Sequence, residues 1–264
     1  MCILLVAVDC LADWPLVLLG NRDEFHDRAS AAALPWREAP DVVGGRDLVA
    51  GGSWLAQRND GRFAAVTNLR SGLPARAPRS RGALVRDFLL GTDSPTAHGE
   101  RVRAERDAYG AFNLVFGEAG AVWLLDGNEG SLHRLGAGVH VISNGGGLSD
   151  WPKARRLRER FLDATRSGLP DDARLLDLLV DERQPEDAVL PDTGIGLERE
   201  RLLAPVFIRG EHYGTRAGTL VLHHVEAGPY LCERSFAAGG HVSGEVAWRC
   251  DEAEAEWRLA DAQA

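Results

Sequence analysis

Cys2 is the residue with the most chemistry to offer. Initiator methionine is ordinarily removed when the second residue is small, and removal here would leave a thiol and a free α-amine on one residue. That amine has an unperturbed pKa of about 8, so near neutral pH part of it is a neutral base. It can take the thiol proton directly or through one water, which is the logic of N-terminal-nucleophile catalysis. Alone, a cysteine at this position can equally be a small buried hydrophobe.

The run Asn21-Arg22-Asp23-Glu24 gives Cys2 company. Arg22 can lower the thiol pKa and grip a substrate carboxylate. Asp23 or Glu24 can orient the α-amine. The same four residues taken without Cys2 read as an ion-paired strand end.

Two strands must bring these groups together. Residues 3–8, ILLVAV, are continuously apolar and read as a buried strand. A turn over residues 9–15 leads to a second strand, 16–20, which delivers the polar run beside the Cys2 end. After a Pro-containing loop, residues 53–57 and 62–68 form a hairpin around Asn59-Asp60-Gly61. Helices are expected at 81–90 and from Ser94-Pro95 onward. A meander of strands follows at 112–116, 121–126, 131–135 and 139–144. Helices at 151–165 and 173–180 come next, the first carrying Lys153, Arg155, Arg156, Arg158 and Arg160, a run that reads as a solvated face. A Pro/Gly/Asp loop occupies 184–197. Strands return at 206–209, 219–225, 230–236 and 244–248, and a helix at 252–260 closes the chain. The last strands read as sheet partners of the first, so one domain over residues 1–264 is expected. The fold class is α+β, two sheets with helices outside them.

Composition narrows the functions. The 264 residues carry a formal net charge of -9, which argues against general nucleic-acid binding. Lys153 is the only lysine, so arginine supplies nearly all the cationic chemistry; its planar fork suits carboxylates. The four cysteines, Cys2, Cys10, Cys232 and Cys250, make no C-x-x-C pair and no zinc-spaced cluster with histidine. No metal site is expected. His223 and His224 are adjacent on a strand and face opposite sides. Gly145-Gly146-Gly147 fits neither dinucleotide nor P-loop spacing. No signal peptide or membrane span is evident, and the expectation is a cytoplasmic protein with reduced thiols, no integral membrane contact and a small-molecule substrate or ligand. Trp36, Trp54 and Trp151 read as core or pocket wall.

Together the motifs resemble the NRDE family, also named for transport and Golgi organisation protein 2. They are Met1-Cys2 before an apolar strand, residues 21–25 (NRDEF), 44–47 (GGRD), 51–55 (GGSWL), 61–68 (GRFAAVTN), Ser143-Asn144 with Trp151-Pro152-Lys153, and 213–216 (YGTR). They occur in order over residues 1 to about 220. The resemblance implies a four-layer αββα sandwich of the N-terminal-nucleophile hydrolase type, in a family linked to haem trafficking and to lipid or acyl-CoA metabolism.

More distantly, the layout is similar to the cysteine amidases that include penicillin V acylase and bile-salt hydrolase. That similarity implies a catalytic set of Cys2, Arg22, Asp23, Asn144 as oxyanion donor, and Arg216. Asn21, Glu24, Asn68 and Trp54 would then contact substrate, with Asn68 a second amide donor. Those amidases carry Gly-Arg-Asn-x-Asp where this chain has Gly20-Asn21-Arg22-Asp23-Glu24. No gap-free alignment matches both the Arg and the acid, which leaves the supporting acid open. Three functions follow: an N-terminal-cysteine amidohydrolase, a non-catalytic carrier of haem or an acyl thioester on the same fold, or a structural protein whose NRDE segment staples the sheet. No cofactor is required by the first. The second would bring haem, which needs an axial His, Cys or Tyr.

Overall fold

A computed structural model describes residues 3–70, 77–251 and 254–260. Strand β1 (Ile3–Leu11) is buried on both faces over its first six residues, as a continuous aliphatic run requires. It pairs antiparallel with β2 (Trp14–Phe25), Ile3 opposite Asn21. The second strand therefore does not stop at Gly20 as expected but runs through the whole NRDE segment. Polar residues hold an interior strand position there because their side chains are hydrogen-bonded, as described below.

The first sheet has the order β10-β1-β2-β11-β12-β13-β14. Its later strands are β10 (Gly138–Ile142), β11 (Tyr213–His224), β12 (Gly228–Phe236), β13 (Val242–Asp251) and β14 (Glu256–Leu259). The C-terminal strands thus partner the N-terminal ones, as their patterning suggested. The second sheet runs β3-β4-β5-β6-β7-β8-β9 in chain order. Its members are β3 (Ser30–Trp36), β4 (Ala39–Asp47), β5 (Leu55–Arg58), β6 (Phe63–Asn68), β7 (Phe112–Glu118), β8 (Ala121–Asp126) and β9 (Ser131–Leu135).

Leu4, Val6, Leu16, Leu18, Val43, Phe63, Val115, Val221 and Leu231 fill the space between the sheets. Helices α1 (Gly82–Leu90) and α2 (Pro95–Ala104) cover the second sheet. The Ser94 hydroxyl caps α2 by accepting from the Ala97 N–H at 3.2 Å. Helices α3 (Pro152–Ala164) and α4 (Asp172–Asp177) cover the first sheet. The result is an α+β sandwich in four layers. Among the described residues, no helix is long and apolar enough to cross a membrane.

Five sequence expectations need correction. Residues 30–47 form β3 and β4 rather than a loop. The strand expected at 139–144 is not a meander partner of β9: as β10 it crosses to the first sheet and pairs with β1. Residues 206–209 belong to no strand. The closing helix is instead β14, with Trp257 buried between exposed Glu256 and Arg258, a period of two; Glu252 and Ala253 lie outside the described residues. The basic run of α3 is also less solvated than expected. Lys153 is buried and donates to the Leu203 carbonyl at 3.1 Å, while Arg156 and Arg160 converge on Asp181.

Candidate functional site

Strand periodicity sorts the NRDE segment onto two faces. On β1 and β2 the even positions, such as Leu4, Leu16 and Leu18, face the second sheet, and the odd positions face α3 and α4. Asn21 and Asp23 therefore point outward, while Arg22 points between the sheets. Asn21 is fully buried and donates to the carbonyls of Leu179 (2.9 Å) and Val206 (2.8 Å). Asp23 accepts from the Thr215 hydroxyl at 2.6 Å, and that hydroxyl accepts from the Ile208 N–H at 2.9 Å. Both residues tie β2 to the loops outside the sheet. Glu24, at the strand's exposed end, accepts from the Phe25 N–H and lies 3.7 Å from Arg28.

Of the run, Arg22 is the residue that lines a described cavity. It is buried, and its guanidinium carbon lies 4.4 Å from the Trp54 ring centroid, a cation–π contact. Burial, reinforced by the charge of Arg216, holds its pKa below the usual guanidinium value. Trp54 reaches this position because residue 45 is glycine: a Cβ there would fall 2.0 Å from the indole. The β11 register slips between Thr215 and Ala217. This bulge re-aims Arg216, which donates to the carbonyls of Phe25 (3.2 Å) and Arg28 and keeps its Nε buried without a partner.

Arg22, Trp54 and Arg216 share a cavity of about 190 Å³ with Glu233, Ser235 and Ser243. Glu233 is 1% exposed. One of its oxygens accepts from the Ala33 N–H at 2.7 Å and the other from the Thr219 hydroxyl at 3.0 Å. Burial pushes its pKa up to about 7 against the lowering effects of those hydrogen bonds and of Arg22. The sequence reading missed Glu233. Its signal was the alternation in β12, which puts Leu231, Glu233 and Ser235 on one face and so plants a carboxyl beside a core leucine.

Asn144 and Asn68 do come together, but on each other. The Asn144 amide donates to the Asn68 backbone carbonyl (2.9 Å) and side-chain oxygen (3.2 Å), and the Arg70 N–H donates to the Asn144 carbonyl at 2.7 Å. Arg70 in turn pairs with buried Glu200 at 2.5 Å. Neither asparagine belongs to the described lining of the Arg22 cavity. Ile142, at the end of β10, pairs with Leu4, so Asn144 leaves on one flank of the start of β1 while Arg22 stands on the other. Cys2 lies outside the described residues. Among the described residues no cluster of His, Cys, Asp and Glu could hold a metal ion.

A two-sheet antiparallel sandwich between helical layers is the N-terminal-nucleophile hydrolase fold, and solved structures of that class match it. The N-acylethanolamine-hydrolyzing acid amidase ortholog of Caenorhabditis elegans superposes with a TM-score of 0.53 at 12% identity, over 84% of this chain and 92% of that one. The C2A mutant of the conjugated bile acid hydrolase from Clostridium perfringens gives 0.52 at 10% identity, over 99% and 97%. At such identities the likeness is one of fold.

The chain belongs to the Transport and Golgi organisation 2 family, whose model matches residues 1–238. The Transport and Golgi organization protein 2 homolog of Bos taurus is 32% identical over 239 residues, covering 84% of this chain and 86% of the relative. That of Homo sapiens is 32% identical over 240 residues with the same coverage.

Proposed function

We propose that this protein is a cysteine hydrolase of the N-terminal-nucleophile type. It cleaves a linear amide or ester of a small, acylated, carboxylate-bearing substrate, with Cys2 as nucleophile after loss of Met1. The observation that carries the reading is the cavity itself. Arg22 and Arg216 face it together, neither has a carboxylate within ion-pair distance among the described residues, and Arg22 sits one residue past the partner of Ile3. In the proposed cycle the α-amine takes the thiol proton and the thiolate attacks the carbonyl carbon. The ammonium then returns the proton to the leaving group, and water hydrolyses the thioester. Arg22 and Arg216 hold the substrate's carboxylate. An oxyanion donor is worth about 3–4 kcal/mol of barrier, and Asn144 supplies one only by exchanging its bond to Asn68.

Intact mass and active-site labelling test this. The expected result is loss of Met1 and one covalent adduct on Cys2 from a β-lactam or electrophilic amide, absent in Cys2→Ala. A retained Met1, or a Cys2 inert to a panel of such probes, sinks it.

The Asn144–Asn68 bond favours a second reading, a carrier of an acyl thioester or other lipid ligand without turnover. Recovering such a ligand bound and uncleaved would select that reading. A haem version of that reading would need Cys2 as axial ligand, since the described lining holds no His, Cys or Tyr.

A further inference from the structure

We propose that the Arg22 cavity is a proton-linked carboxylate site, in which Glu233 takes one proton from solvent as the ligand's carboxylate settles against Arg22 and Arg216. This rests on reading the cavity as the substrate pocket and adds to it a specific acid that neither the NRDE run nor its amidase counterpart contains.

The charged groups that face Glu233 are few. Arg22 approaches from β2 and Arg216 from the β11 bulge. The remaining neighbours are neutral: the Thr219 hydroxyl on β11, the Ala33 N–H on β3, Ser235 on β12, Ser243 on β13 and the Trp54 ring. Glu24 and Asp47 also act on Arg22 but neither belongs to the described lining; within that lining two guanidinium groups stand against one carboxyl and leave surplus positive charge in a desolvated space. Two donors there, Arg216 Nε and Trp54 Nε1, are buried with no partner. Buried donors of this kind are costly until something accepts from them. A carboxylate meets both demands.

Its arrival changes the balance at Glu233. Two carboxylates in one water-poor site cannot both stay ionised cheaply, and the proton goes to whichever is held less firmly by cations. The ligand sits on the guanidinium groups. Glu233 has only two neutral donors and no ion pair. Burial already brings it to about 7, so the proton is close at hand near neutral pH.

The experiment is calorimetric titration of the full chain with butyrate and with neutral butyramide, in two buffers of different ionisation enthalpy. Butyrate should bind and butyramide should not. Affinity should be flat below about pH 6 and fall nearly tenfold per unit above about pH 7.5, with uptake approaching one proton at about pH 8. Glu233→Gln should bind butyrate with that slope removed. Zero proton uptake by the wild type, an unchanged slope in Glu233→Gln, equal binding of butyramide, or no butyrate binding at millimolar concentration would each overturn the proposal. If Glu233→Gln does not fold, the wild-type proton count decides alone. Binding is read without turnover, so an inert Cys2 leaves this result standing. Loss of butyrate binding, conversely, leaves labelling of Cys2 by an uncharged probe intact.

Discussion

Replacing Glu233 by Gln should stabilise the protein at alkaline pH and do little at acid pH. The folded state holds the Glu233 proton at a pKa of about 7 against an ordinary 4.5, so folding takes up a proton between those values. The associated stability is complete below 4.5 and is lost as pH rises through 7. The difference of about 2.5 units, at 1.36 kcal/mol each, makes the ionised carboxyl a burden of about 3 kcal/mol at pH 8. The Gln amide keeps an acceptor for the Ala33 N–H and offers Thr219 a donor, so the burden disappears without leaving either unpaired. His98 and His223, both held down to about 4 chiefly by burial, act in the opposite sense. Their contribution is present above 6.5 and lost as pH falls toward 4, so the wild-type curve alone mixes the two trends. The quantity to measure is the difference between variant and wild type in urea midpoints at about pH 5 and pH 8. At a slope of roughly 3 kcal/mol/M, Gln should raise the midpoint by about 1 M at the higher pH and by little at the lower. An equal shift at both pH values, or a loss at pH 8, would refute the assignment of a buried, ionisation-averse carboxyl.

Asn21→Leu should cost about 2–4 kcal/mol, because the Leu179 and Val206 carbonyls lose their buried donor; a urea midpoint within error of wild type would show that water replaces the amide. Gly45→Ala should cost about 1–3 kcal/mol by overpacking and alter the near-UV dichroism, since the new methyl displaces the Trp54 ring from its place beneath Arg22. The same variant should weaken butyrate binding, and unchanged binding would dissociate Trp54 from the cavity.

Elements whose period the core enforces could be read from sequence: β1, the β5–β6 hairpin, the capped α2, and β7 to β9. Residues 30–47 could not, because their signals have other causes. Pro35 sits in β3, an edge strand with no partner on one side, where the missing N–H is tolerated. Gly44 and Gly45 look like turn residues but are close-packing residues, pressed against Ala56 and Trp54. The NRDE run was legible as a polar segment following the second strand yet not as strand interior, since charge usually marks a strand's end. What holds the outward residues of β2 there is partial satisfaction: Asn21 Nδ2 meets two loop carbonyls and Asp23 Oδ1 a hydroxyl, while Asn21 Oδ1 and Asp23 Oδ2 stay buried without a partner. Glu233 lay hidden because its two neighbours in sequence, Cys232 and Arg234, belong to the other face.

The two-residue period of β2 also explains how one short motif can be both staple and cavity wall. Asn21 and Asp23 point to the helical layer and spend their polarity on Leu179, Val206 and Thr215. Arg22, between them, is thereby fixed in register with its guanidinium directed at the gap between the sheets. With Asp23 turned outward, the carboxyl that lines the cavity with Arg22 comes from a different strand, β12, as Glu233. The acid that the motif does not place in the cavity is supplied by the sheet partner two strands away.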